Sequence, residues 1–87
     1  MRSMTHAGPE ALDRLEPLLE AIRELGLAAE TKRGIFYRRR AAFLHFHEEA
    51  GRILADLKVG REFERYPADS KRDWSRILAA VKRAAAG

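Results

Sequence analysis

The chain has 87 residues, no cysteine and a formal net charge of +4 at pH 7. This length fits one small domain, and the lack of thiols excludes disulfides and thiolate metal sites. No apolar run is long enough to span a bilayer and none follows the N-terminal residues, so we expect a cytoplasmic protein with no membrane partner.

The charge is unevenly distributed along the chain. Residues 1–31 hold three Arg and six acids, whereas residues 32–87 hold fourteen Lys or Arg and seven acids. A basic second half admits an anionic partner, although a solvated basic surface is the simpler interpretation.

The N-terminal part predicts a leader and a helix. Residues 1–8 are small and polar, which indicates a flexible leader followed by a single domain over 9–87. Pro9 suits a first helical turn because its missing N–H costs nothing there. Apolar residues then recur at helical spacing up to Ile22, and Gly26 is placed to end the helix.

The middle of the chain predicts antiparallel strands. Residues 27–33 fit either a short strand or a loop, and beyond them the apolar period becomes two. The alternation predicts strands at 35–38, 42–47 and 52–58, and a weaker fourth strand at 63–66. Turns are expected at Arg39-Arg40 and over residues 48–51.

The C-terminal part predicts a second helix. Ser70 can cap it, and Asp73 follows at the spacing of a capping box. An apolar stripe runs from Trp74 to Ala85. The fold class is therefore α+β in two layers: an antiparallel meander of three or four strands, covered on one face by the N-terminal and C-terminal helices.

Strand pairing assigns the two faces of this sheet. With His47 opposite Arg52 and a turn at Arg39-Arg40, one face is wholly apolar and is expected to meet the helices. That face would carry Ile35, Tyr37, Ala42, Leu44, Phe46, Ile53, Ala55 and Leu57. The other face would carry Gly34, Phe36, Arg38, Phe43, His45, His47, Arg52, Leu54, Asp56 and Lys58.

The pair His45-x-His47 is the most distinctive motif. Residues two apart on a strand point the same way, so both imidazoles could bind one metal ion. A zinc or iron site needs a third protein ligand, for which Glu48, Glu49 and Asp56 are candidates. The simpler interpretation is two half-exposed histidines packed on a sheet surface, so no cofactor is predicted and a divalent metal at His45 and His47 stays an alternative.

Two enzyme and ligand hypotheses use the same region. Asp56 could orient His45 for acid–base catalysis, but no nucleophile stands out and no catalytic residue is assigned, so a non-enzymatic role is favoured. Nucleic-acid binding could use Arg38, Arg39 and Arg40 with Phe36 and Phe43 as a stacking surface. No RRM, helix-turn-helix or zinc-finger spacing supports it.

The sequence ranks an interaction module first. We expect the face bearing Phe36, Phe43, His45, His47 and Asp56 to meet a ligand or partner, including a second copy of the chain. Exposed aromatic patches usually mark contacts, and a homodimer would also support a small core.

Residues 34–49, followed by Ala55-Asp56-Leu57-Lys58, resemble small uncharacterised bacterial proteins that share a phenylalanine–histidine strand and an Ala-Asp strand. The resemblance covers roughly residues 20–83. The Phe43-x-His45-x-His47 pattern is also similar to a longer luciferase-like domain of unknown function, whose C-terminal elements this chain lacks. Neither resemblance implies an activity.

Overall fold

A computed structural model describes residues 5–87 of the chain as two helices on an antiparallel sheet, which confirms the predicted α+β class. The elements in chain order are β1 (Thr5–His6), α1 (Pro9–Leu25), β2 (Ala29–Lys32), β3 (Ile35–Arg38), β4 (Ala41–Glu49), β5 (Arg52–Val59), β6 (Glu62–Pro67) and α2 (Lys71–Ala86).

Both helices begin and end where the local chemistry dictates. Gly26 ends α1 with a left-handed φ of 66°, and its N–H donates to the Arg23 carbonyl. Ser70 caps α2, and the Ser70 hydroxyl and the Asp73 carboxylate each accept a backbone N–H of the other residue. Both predicted ends are confirmed.

The sheet is larger than predicted. Its strand order is β2-β3-β4-β5-β6, and β1 pairs with the far end of β4. The ambiguous segment 27–33 contains strand β2, and the weak fourth strand is β6. Of the predicted leader, residues 5 and 6 form β1, while residues 1–4 lie outside the described part of the chain.

The pairing of β4 with β5 is shifted by two residues from the predicted register. Arg52 lies opposite Glu49 rather than His47, because the turn is only two residues long, with positive φ at Ala50 and Gly51. A shift of two keeps every side chain on its predicted face. It also brings Asp56 directly opposite His45.

The pairing of β3 with β4 corrects the prediction for Phe36. The turn at Arg39-Arg40 is confirmed, but β4 then holds an extra residue, since Tyr37 pairs with Ala42 and Phe36 with Leu44. Because of this bulge at Phe43, the side chains of β3 point to the faces opposite to those predicted. Phe36 is therefore fully buried against the helices, and Tyr37 is exposed.

The two faces of the sheet differ in what covers them. We call the helix-covered side the core face; its fully or nearly fully buried residues include Phe36, Leu44, Phe46, Ile53, Ala55 and Leu57. We call the other side the open face; by strand alternation it carries His6, Ile35, His45, His47, Leu54, Asp56, Lys58, Phe63 and Arg65.

Within residues 5–87, neither helix has the length and apolar character needed to cross a membrane.

Candidate metal centre

Two neighbouring strands bring two histidines and an aspartate together on the open face. His45 and His47 are two apart on β4 and so share a face. Asp56 on β5 is the cross-strand partner of His45 and therefore diagonal to His47. The tight turn at Ala50-Gly51 sets this register, so the local sequence of the hairpin positions the cluster.

The polar atoms of these side chains converge. His45 Nδ1 lies 2.9 Å from His47 Nε2, and His47 Nε2 lies 3.0 Å from Asp56 Oδ2. One ligand atom from each residue lies within 4.8 Å of the other two. Two ligands of a tetrahedral zinc ion are about 3.3 Å apart. The His45–His47 and His47–Asp56 separations are each a few tenths of an ångström shorter than that.

Arg65 on β6 holds the aspartate in place. Its Nε donates to Asp56 Oδ1 at 2.9 Å and its Nη2 donates to Oδ2 at 3.2 Å. The Asp56 side chain is 10% exposed and that of His47 is 12% exposed. A carboxylate so buried is stable only with such partners, and Arg65 keeps it ionised and fixed in orientation.

The electrostatics favour the protonation states that bind a cation. Burial and then the neighbouring His47 lower the pKa of His45, so its imidazole is neutral and offers a lone pair. Burial acts to raise the pKa of Asp56, but the Arg65 guanidinium outweighs it and holds that pKa below its usual value. Metal ligands must be deprotonated, and both groups meet that condition.

His47 Nε2 has two close polar neighbours. His47 Nε2 contacts both His45 Nδ1 and Asp56 Oδ2, and its single proton would have to be shared between them. A bound cation would satisfy all three lone pairs at once. In addition, His47 Nδ1 is buried and has no hydrogen-bond partner among the described residues. A histidine that ligates through Nε2 carries its proton on Nδ1, which usually donates to a carboxylate, a backbone carbonyl or a water molecule.

A third histidine approaches the cluster from the N-terminal strand. His6 is exposed and pairs across from His47, with the two ring centroids 5.4 Å apart. Its ring centroid is 6.1 Å from that of His45, and those of His45 and His47 are 4.8 Å apart. Three imidazoles therefore surround one region of the open face.

Sequence reasoning missed His6 and Arg65. His6 was assigned to the leader because a two-residue strand has no detectable period, and its pairing with β4 is a long-range contact. Arg65 lies two residues from Phe63 on β6, so the alternation predicts that the two share a face. The sequence did not fix the register of β6, however, and so did not show which residue of β5 lies opposite Arg65. The contact between Asp56 and Arg65 becomes evident only from the pairing of β5 with β6 in the structure.

Several predicted site residues lie elsewhere. Phe36 is buried in the core, and Phe43 is only 5% exposed and belongs to the same apolar cluster, so neither presents its ring on the open face as expected. Of the other ligand candidates, Glu48 accepts a hydrogen bond from the Gly8 N–H at 2.6 Å. Glu49 is exposed at the end of β4.

The three arginines are not equivalent. Arg38 donates to the Ala85 carbonyl at 2.8 Å, and its guanidinium carbon lies 5.9 Å from the centre of the Phe43 ring. Arg38 thus ties β3 to the end of α2. Arg39 and Arg40 are exposed at the turn.

Comparisons of the chain with protein-family models, with curated proteins and with solved structures returned no match.

Proposed function

We propose that this protein is a small metal-binding module whose open face binds one divalent transition-metal ion through His45, His47 and Asp56. The observation that carries the proposal is the convergence of one ligand atom from each residue within 4.8 Å. Two imidazoles and a carboxylate are a ligand set typical of zinc and of non-haem iron(II). This is a specific form of the ligand-binding face expected from the sequence.

The surroundings of the three side chains support the same proposal. Arg65 would keep its bond from Nε to Asp56 Oδ1 while Oδ2 bound the ion, which is the usual arrangement of a supporting residue around a metal ligand. The rigid sheet limits how far the ligands move, because His45 and Asp56 are paired strand positions. Their separation is set by backbone hydrogen bonds rather than by a loop.

Equilibrium dialysis of the full chain against Zn²⁺, after treatment with a chelator, tests the proposal. We expect one ion per chain, and at least a ~100-fold loss of affinity in His45→Ala, His47→Ala and Asp56→Asn, since even supporting residues cost about 10–100-fold. Glu49→Gln is the matched control, because it removes an exposed carboxylate from the same strand.

Circular dichroism of each variant shows whether it is folded. Failure of the folded wild-type chain to bind zinc in stoichiometric amount would overturn the proposal. So would binding that the three substitutions leave unchanged.

Homodimerisation is a second candidate role of the same face. It is supported by Phe63, an open-face aromatic side chain whose residue is 47% exposed and whose ring lies 5.2 Å from that of His45. Light scattering at rising concentration, with Phe63→Ser as the comparison, distinguishes a dimer from a monomer. Nucleic-acid binding has weaker support, because the two phenylalanines expected to stack bases are buried.

A further inference from the structure

The number of protein ligands decides what a metal site can do. Sites with four protein ligands are structural or storage sites, whereas catalytic sites leave one position open for water or substrate. His45, His47 and Asp56 supply three, so the role of the proposed site depends on whether the chain offers a fourth.

His6 is a candidate for that fourth ligand. It lies directly opposite His47 in the pairing of β1 with β4, and His6 and His47 share the open face. The backbone around it is held, because the Ala7 N–H donates to the Phe46 carbonyl at 3.1 Å and the Gly8 N–H donates to Glu48 at 2.6 Å. The His6 side chain itself is exposed and free to turn.

The spacing of the three imidazole rings fits a shared ion. Imidazoles bound to one tetrahedral zinc have ring centroids about 5 Å apart. The observed separations of 4.8, 5.4 and 6.1 Å lie around that value. His6 is stacked on His47 at an interplanar angle of 26°, so its ring must rotate to direct a nitrogen at the ion.

Building on the proposed metal site, we propose that His6 is its fourth protein ligand, so that the bound ion fastens strand β1 to the open face and closes the site to substrate. The proposal gives the metal a structural or storage role. It also predicts that the bound ion further stabilises the pairing of the N-terminal strand with β4.

X-ray absorption at the zinc edge of the loaded full chain counts the imidazoles. We expect three in the wild type and two in His6→Ala. Cobalt substitution gives an independent readout, since tetrahedral Co²⁺ absorbs visible light far more strongly than five- or six-coordinate Co²⁺. The wild type should show the strong bands, and His6→Ala should shift them, because water replaces one imidazole in a site with three protein ligands.

Affinity and hydrogen exchange complete the test. His6→Ala should bind Zn²⁺ about 10–100-fold more weakly than the wild type, and His6→Asp, which restores a ligand, should recover part of that loss. Zinc should slow exchange of the Ala7 amide, which bonds to Phe46, in the wild type but not in His6→Ala.

The possible results separate the two proposals. Two imidazoles in the wild type, with unchanged affinity in His6→Ala, would overturn the role of His6 and leave the three-ligand site intact. A wild-type chain that binds no zinc would overturn both. Because His6 is exposed, its substitution should not prevent folding.

Discussion

The core face and the open face are built from alternate residues of the same strands, yet they serve different purposes. On β4, Leu44 and Phe46 are at most 2% exposed beneath the helices, while His45 and His47 point the other way. On β5, Ala55 and Leu57 flank Asp56 in the same manner. Residues that stabilise the core thus alternate along each strand with residues of the proposed binding site. Single substitutions should therefore change stability or binding separately.

The largest difference is expected between two phenylalanines. Phe36 on the core face is fully buried and Phe63 on the open face is 47% exposed. Phe36→Ala should lower the free energy of unfolding by about 3–5 kcal/mol, because it removes packed surface and leaves a cavity. Phe63→Ala should cost less than about 1 kcal/mol. Urea denaturation measures both, and equal losses would contradict the assignment of the faces.

A smaller difference is expected between two glycines with left-handed φ. A Cβ at Gly34 would lie 2.7 Å from Leu12 Cδ2 of α1, whereas one at Gly60 would meet nothing within 4 Å. Gly60→Ala should cost about 1 kcal/mol from backbone strain alone. Gly34→Ala should cost more, about 1–3 kcal/mol, since the Leu12 side chain of α1 must also move off its rotamer. Thermal or urea unfolding of the pair tests this, and a larger loss at Gly60 would show that the contact with α1 is unimportant.

Each face also has its own partly or fully buried carboxylate with an arginine partner. Glu30 pairs with Arg23 of α1 and accepts the Gly34 N–H at 2.8 Å. Asp56 pairs with Arg65 in the cluster on the open face. We expect Glu30 to affect stability alone, whereas Asp56 also affects metal binding.

Glu30→Gln is predicted to have a small effect on stability that depends on pH. The Arg23 guanidinium lowers the pKa of Glu30 from its ordinary value of 4.5, so the ionised form stabilises the fold above that pH, and this stabilisation is lost as the pH falls through the lower, folded-state pKa. The substitution should cost about 1 kcal/mol at pH 7. It should cost less at pH 3, and it should leave zinc affinity unchanged.

Glu24→Gln is the control for that prediction, because Glu24 is an exposed acid near the end of the same helix that carries Arg23. Chemical denaturation at the two pH values measures the effect. A Glu30→Gln loss that grows on acidification would have the wrong sign for a lowered pKa.

The predictable part of the fold follows from short-range patterns. The capping box of Ser70 and Asp73, the end of α1 at Gly26 and the turn at Arg39-Arg40 all depend on residues adjacent in sequence, and each is confirmed. Residues 44–49 of β4 and their partners on β5 kept their predicted faces despite a wrong register, because an error of two preserves the alternation.

The unpredicted part depends on contacts between distant residues. The bulge at Phe43 moved Phe36 into the core, and no local signal distinguishes a bulged strand from a regular one here. In the candidate site, His45, His47 and Asp56 were identified from the pattern, but Arg65 and His6 come from strands whose pairing the sequence left open. The sequence therefore identified some of the residues of the open face, but it did not predict how they are arranged.

The most direct test of the account is anomalous diffraction at the zinc edge from crystals of the zinc-loaded full chain. We predict one strong peak on the open face, about 2.0–2.2 Å from His45 Nδ1, His47 Nε2 and an oxygen of Asp56. A map with no peak between these three side chains, or with its only strong peak elsewhere on the protein, would contradict the account.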